Sequence, residues 1–140
     1  MIRCVLGAGA KVPTKKTDEA AAYDICATEN VNIPAHSSAT VKTELQVEIP
    51  VGYCMRILPR SGLAFKHGIE AFPGLIDSDY RNQIFVLLRN FSDTAYKVSA
   101  GDSIAQARIE RNENFQFEVV SEGTLRETKR GLGGLGSTGR

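Results

Sequence analysis

The sequence predicts an all-β domain, and three observations carry that expectation. Apolar or alternating runs of about four to eight residues, rich in β-branched and aromatic side chains, recur along the whole chain. Turn formers divide them at short, fairly even intervals: Pro34, Pro50-Val51-Gly52, Pro59, Pro73-Gly74, Asn90 to Thr94 and Ala100-Gly101-Asp102. Helix signals surround a single brief stretch, Leu63 to His67. That rhythm belongs to a barrel or sandwich and opposes an alternation of helix and strand.

Strands are expected at Arg3 to Leu6, Tyr23 to Ala27, Val31 to Ile33, Thr40 to Thr43, Gln46 to Ile49 and Tyr53 to Leu58. Four more follow at Gln83 to Asn90, Ala95 to Val98, Ser103 to Glu110 and Phe115 to Val120. Ser61 is placed to cap the short helix and Gly68 to end it. Between Gly74 and Leu88, turn formers Ser78, Asp79 and Asn82 lead into the nearly unbroken apolar run Ile84 to Leu88, which reads as a hairpin feeding a core strand. Lys11 to Glu19 reads as a solvated, charged connection without a role. From Thr128 onward the composition changes: five of the chain's 13 glycines lie between Gly131 and Gly139, a flexible arm when alone. The expected division is therefore a β-barrel domain over residues 1–127 and a Gly-rich arm over 128–140.

With 140 residues, 42% hydrophobic and 24% charged, the chain has the size and balance of one soluble domain. No apolar run approaches the roughly 20 residues needed to cross a bilayer, so no membrane association is expected. The formal charge of +1 argues against stable binding to nucleic acid, and a phosphate-bearing partner is expected to be small and held locally. Cys4, Cys26 and Cys54 lack a Cys-x-x-Cys pair and read as small buried apolar residues. The first residues, Met1 to Leu6, lack the apolar stretch of a secretory signal, which makes cytosol or nucleus the expected location.

Five segments hold residue types that chemistry uses. Asp77 follows Leu75 and Ile76, where apolar neighbours would desolvate a carboxylate and make it a better proton acceptor; the alternative is that Asp77 and Asp79 only bond turn amides. Arg60-Ser61-Gly62 places a guanidinium, a hydroxyl and unpaired amides at a helix start, a setting for an anion or simply for a capped turn. Asp24 in an apolar strand and Gln106 after the Gly101-Asp102 turn each need a polar partner, which need not be a ligand. Gly131 to Gly136 formally fits G-x-G-x-x-G, yet no strand and helix flank it, so a dinucleotide fold is excluded. Bare glycine amides with Arg130, Ser137 and Thr138 could instead fold over a polyphosphate, or stay disordered.

Taken in order, Ala21-Ala22-Tyr23-Asp24-Ile25, Pro59-Arg60-Ser61-Gly62-Leu63-Ala64, Gly74-Leu75-Ile76-Asp77-Ser78-Asp79-Tyr80-Arg81, Gly101-Asp102-Ser103-Ile104-Ala105-Gln106 and the arm from Arg130 to Gly139 closely resemble the motif set of the trimeric dUTPases, the deoxyuridine triphosphate nucleotidohydrolases. The resemblance implies a jelly-roll-like all-β subunit and a homotrimer with an exchanged C-terminal arm, each site being assembled from all three chains. It implies hydrolysis of dUTP to dUMP and pyrophosphate, with Asp77 activating a water that attacks the α-phosphorus. By the same resemblance Tyr80 lies against the deoxyribose and excludes a 2′-hydroxyl, and the backbone around Gly74, Leu75, Ile76 and Phe85 reads uracil. Arg60, Ser61, Gly62 and Gln106 hold the inner phosphates. Arg130, Leu135, Gly136, Ser137 and Thr138 close over the nucleotide, and Asp24 holds water on Mg²⁺.

The chain departs from the family pattern at several positions. Leu135 stands where the arm usually carries an aromatic residue that stacks on the base, Asn82 where Gly is common and Ser103 where Arg is common. Pro73 and Ala71 also differ from frequent choices. Two rival readings go with the resemblance: a dCTP deaminase of the same fold, and a regulatory protein that binds the nucleotide without turning it over.

Overall fold

A computed structural model describes residues 1–134. In chain order its elements are β1 (Arg3–Leu6), β2 (Tyr23–Cys26), β3 (Val31–Ile33), β4 (Ser38–Lys42), β5 (Leu45–Glu48), β6 (Tyr53–Leu58), α1 (Ser61–His67), β7 (Ile69–Ala71), β8 (Gly74–Ile76), β9 (Phe85–Asn90), β10 (Tyr96–Val98) and β11 (Ser103–Arg111). Four sheets result, with strand orders β2-β11-β6-β8, β4-β9-β7, β1-β5 and β10-β3. Each pairing between these strands is antiparallel, which gives the all-β barrel that the turn rhythm called for and the jelly-roll-like subunit that the resemblance implied.

The core follows from alternation. Along β9, Val86, Leu88 and Asn90 are buried, while Phe85 and Leu87 face outward. Ile25, Ile33, Val41, Leu45, Ile49, Ile69, Ile84, Val86, Leu88 and Ile104 are all at most 2% exposed and converge from every sheet, each burial stabilising the fold by about 1.5–3 kcal/mol. Asn90 is the polar member of this interior. Its amide nitrogen donates to the carbonyls of Thr94 (2.7 Å), Ile33 (3.1 Å) and Pro34 (3.2 Å), and its Oδ1 accepts from the Ser92 amide and hydroxyl. The turn at residues 90–94 is thus built around one saturated side chain.

Several expected boundaries move for identifiable reasons. Thr43 leaves the strand because its hydroxyl donates to the Ile84 carbonyl (2.5 Å) and accepts from the Leu45 amide, while Glu44 turns the corner at φ 49°. Strand β4 therefore ends at Lys42 and β5 opens at Leu45. Arg60, in extended backbone, precedes the helix and no side chain caps it, so Ser61 is the first helical residue and not its cap. Gly68 ends the helix at φ 65°, as expected. Strands β7 and β8 flank Phe72-Pro73, where a break alone was foreseen.

The hairpin expectation also needs correction. Strand β8 pairs with β6, whereas β9 pairs with β4 and β7, so residues 77–84 cross between two sheets instead of closing a two-stranded turn. Phe115 to Val120 forms no strand: Phe115 is 77% exposed, Phe117 100% and Val119 99%. The alternation is genuine, but among the described residues no strand pairs with it. Among the cysteines Cys54 is buried, Cys26 partly so, and Cys4 is exposed on β1, against expectation.

Candidate active site

The central strand β11 gathers the first group of site residues. Gln106 faces Asp24 on β2 and Leu58 on β6, and cross-strand partners share a face, so Asp24 and Gln106 stand side by side. Two residues beyond Leu58 comes Arg60, whose Nε lies 3.6 Å from Asp24 Oδ1 and whose Nη1 donates to the Ser103 carbonyl. Gln106 Nε2 donates to the Pro59 carbonyl at 2.7 Å, which leaves its second amide hydrogen for a ligand. Ser61 and Gly62 follow at the helix start, both exposed, with first-turn amides that have no acceptor inside the helix. Lys16 Nζ, from the connection given no role by sequence, lies 3.5 Å from Asp24 Oδ2. That oxygen makes no hydrogen bond although the Asp24 side chain is only 14% exposed.

The second group lies on the crossing between β8 and β9. The Tyr80 amide donates to the Asp77 carbonyl (3.2 Å), and the Tyr80 hydroxyl donates to the Gln83 carbonyl (2.8 Å), which fixes the ring at the exit of the turn. Arg81 Nη1 donates to the carbonyls of Ser78 (2.7 Å) and Tyr80 (2.9 Å). The Gln83 amide donates to Asn82 Oδ1 at 2.8 Å, a local bond that Asn supplies and Gly could not. Gly74, Leu75 and Ile76 form β8 itself, and Phe85 opens β9 opposite Lys42. Asp77 is exposed, contrary to the desolvated setting expected beside Leu75 and Ile76, because the chain's own residues do not cover it.

These two groups do not meet. Ile76, the residue before Asp77, pairs with Met55 at one end of β6, whereas Arg60 lies past the other end. Arg60 is five residues beyond Met55, about 17 Å at ~3.3 Å per extended residue, farther than an aspartate and an arginine side chain can reach together. Arg130 forms a third, detached site: it is exposed in local turns closed by Gly131 to Thr128 and Gly133 to Arg130 backbone bonds. Leu135, Gly136, Ser137 and Thr138 lie outside the described residues.

A family model described as dUTPase matches residues 8–139. The chain belongs to the dUTPase family. Among dUTPase relatives, it is 44% identical to the deoxyuridine 5'-triphosphate nucleotidohydrolase of Candida albicans over 130 residues, covering 93% of this chain and 82% of that one. The Saccharomyces cerevisiae protein of the same name is 42% identical over 132 residues, covering 94% and 89%. In fold, the dUTPase of Staphylococcus bacteriophage 80alpha, solved as a mutant with dUpNHpp, superposes with a TM-score of 0.92 at 24% identity, covering 100% of this chain and 99% of that one. A mutant dUTPase of phage phi11 of S. aureus, solved to show coordination of a structural Mg(II) ion, superposes at 0.83 with 22% identity over 89% and 99%.

Within this dUTPase chain the motifs found by sequence thus fall at two ends of one sheet. Two side chains that contact them were missed. Lys16 reaches Asp24 because the Asp24 amide donates to the Thr14 carbonyl (2.8 Å), drawing the charged connection along β2, and no local pattern announced that pairing. Arg81 did carry a signal: a cation three residues after Ser78 can fold back on the turn's outward carbonyls.

Proposed function

We propose that this chain hydrolyses dUTP to dUMP and pyrophosphate at sites assembled between copies in a homotrimer, with Asp77 as the general base. The observation that carries the shared site is the separation of about 17 Å along β6 between Arg60 and the end of β8 that leads into Asp77. A cyclic trimer uses two different patches of each subunit at every contact, so the Asp77 end of one copy meets the Asp24–Arg60–Gln106 end of the next. Covering Asp77 in this way supplies the desolvation that the single chain lacks.

The trimer reading has a second support. Among the described residues β1 has β5 on one side and no strand on the other, and an apolar trough of about 450 Å³ next to it is lined by residues including Ile2, Val12, Tyr23, Met55 and Ile109. Phe115, Phe117 and Val119 carry a strand pattern without a strand beside it. Exchange between copies of the chain from Phe115 onward, with the arm at its end, satisfies both, and it brings Arg130 and the glycines beyond it to a neighbour's site.

In that arrangement the Asp77 carboxylate orients a water against the α-phosphorus and accepts its proton as the new P–O bond forms and pyrophosphate leaves, a contribution of ~10²–10⁴ in rate. Arg60, the amides of Ser61 and Gly62, and the free amide hydrogen of Gln106 neutralise and hold the inner phosphates. Arg130, Gly136, Ser137 and Thr138 close on the outer end, and Leu135 covers the base with less contact than an aromatic ring gives. Tyr80, fixed through its hydroxyl, fills the space of a 2′-hydroxyl, while the backbone at Gly74, Leu75, Ile76 and Phe85 pairs with uracil.

A Mg²⁺ ion fits this site through substrate. Asp24 Oδ2, nearly buried and without a hydrogen bond, is an acceptor able to hold a metal-bound water, and among the described residues no three His, Cys, Asp or Glu cluster as a protein cage. When bound on the phosphate oxygens, the ion neutralises charge that Arg60 and the arm share.

Pyrophosphate release from dUTP, set against dCTP, dTTP and UTP with and without Mg²⁺, tests the proposal. Turnover restricted to dUTP is expected. Ammonia from dCTP, or tight binding of dUTP without pyrophosphate, would instead return the deaminase or the regulatory reading, neither of which the named relatives favour.

A further inference from the structure

We infer that Arg81 is a positioning residue for hydrolysis, holding Asp77 and Tyr80 in register with one another; this rests on the roles proposed above for those two residues. The turn it serves has little else to hold it. Ladder pairing stops at Ile76 on β8 and resumes at Phe85 on β9, in a different sheet. Between them the backbone is tied by the Tyr80 amide to Asp77 (3.2 Å), the Tyr80 hydroxyl to Gln83 (2.8 Å), and, at the far end, by the Gln83 amide to Asn82 Oδ1 (2.8 Å), the Thr43 hydroxyl to Ile84 (2.5 Å) and the Ile84 amide to Leu45 (2.8 Å), so that residues 78 and 79 have none of these. One guanidinium nitrogen then takes two carbonyls, Ser78 at 2.7 Å and Tyr80 at 2.9 Å. Those carbonyls lie on either side of Asp79, so a single charged donor fixes the peptide planes that follow Ser78 and Tyr80, and the Tyr80 amide carries that constraint to the Asp77 carbonyl. Charge-assisted bonds of this kind are shorter and stronger than neutral ones.

Arg81 also lines a groove with Arg3, Gln46 and Glu48, at the β1-β5 side of the barrel. Its side chain is exposed and outside the core, so its removal leaves the interior intact while slackening the segment that sets both the base and the sugar wall.

Steady-state kinetics of Arg81→Ala and Arg81→Lys in the full chain test this, with dUTP and UTP as substrates and circular dichroism and thermal melting as controls. In Arg81→Ala the kcat for dUTP is expected to fall ~10- to 100-fold, the cost of misplacing a reacting group by about an ångström, with KM changing much less. The preference for dUTP over UTP falls together with kcat, because Tyr80 moves with Asp77. Arg81→Lys recovers part of both, since an ammonium keeps donors for the two carbonyls. An Arg81→Ala enzyme with unchanged kcat and unchanged sugar preference overturns the inference. So does a loss of activity that merely tracks a lowered melting temperature and that lysine does not relieve. A wild-type chain inert toward dUTP would count against the proposed function instead, which keeps the two failures apart.

Discussion

Tyr96 shows how the site reaches side chains that are not part of it. It lies on β10 with its ring centroid 5.2 Å from that of His67, and its phenol is pushed above the usual range mainly by burial, with Asp102 adding and Arg60 opposing. A raised value means that the folded state favours the neutral phenol. Stability from this group is therefore complete below the ordinary tyrosine pKa of about 10 and is lost as pH rises from there through the folded value. Titration of the tyrosine absorbance in wild type and Tyr96→Phe is expected to show one of the chain's four tyrosines ionising late, and the substitution should reduce the alkaline loss of stability. At this scale the sequence was most legible where a motif fixes residue type and spacing together, as for Asp24, Arg60 and Gln106, which the structure brings side by side, and not for the surroundings of Asp77, which is exposed. It was least legible for Lys16, because that contact depends on how a charged connection is laid along β2.

Among the elements, Phe115 to Val120 is the segment in which a correct pattern gave an incorrect strand. Alternation reports which side chains need cover, not whether the cover belongs to the same chain, and here Phe117 is fully exposed. If a second copy supplies it, Phe117→Asp should weaken each arm's seat by about 1.5–3 kcal/mol or more, and sedimentation should show trimers dissociating at concentrations where wild type stays assembled. An unchanged trimer would place the contact elsewhere. The opposite case is β8, where Pro73-Gly74 looked like a simple break although Gly74 to Ile76 pairs with β6. Proline needs an edge or a strand end, and it sits just before β8, so the break was read correctly and the strand after it was missed. Most remaining strands were legible to within a few residues, with side-chain bonds such as those of Thr43 accounting for a shifted end.

At the scale of the molecule, the separation of Asp77 from Arg60 makes a prediction that no intrachain site can imitate. Asp77→Asn and Arg60→Ala should each abolish hydrolysis when pure. Mixed in equal amounts and allowed to exchange subunits, they should regain activity approaching roughly a quarter of the wild-type value, because one site in four takes both intact residues from different copies. Mixtures that stay inactive under demonstrated exchange would confine each site to one chain. Fold class was readable from turn spacing alone, whereas the division of the site was implied only by the family resemblance, since it depends on register: Ile76 beside Met55, and Gln106 beside Leu58. That register has a consequence for synthesis as well. β2 and β6 share no hydrogen-bonded ladder and are paired through β11, which ends at Arg111. A ribosome making this chain therefore extrudes both with open edges and must finish most of the polypeptide before they can be bridged, so folding is expected to be late, slow and dependent on protection from self-association while translation proceeds.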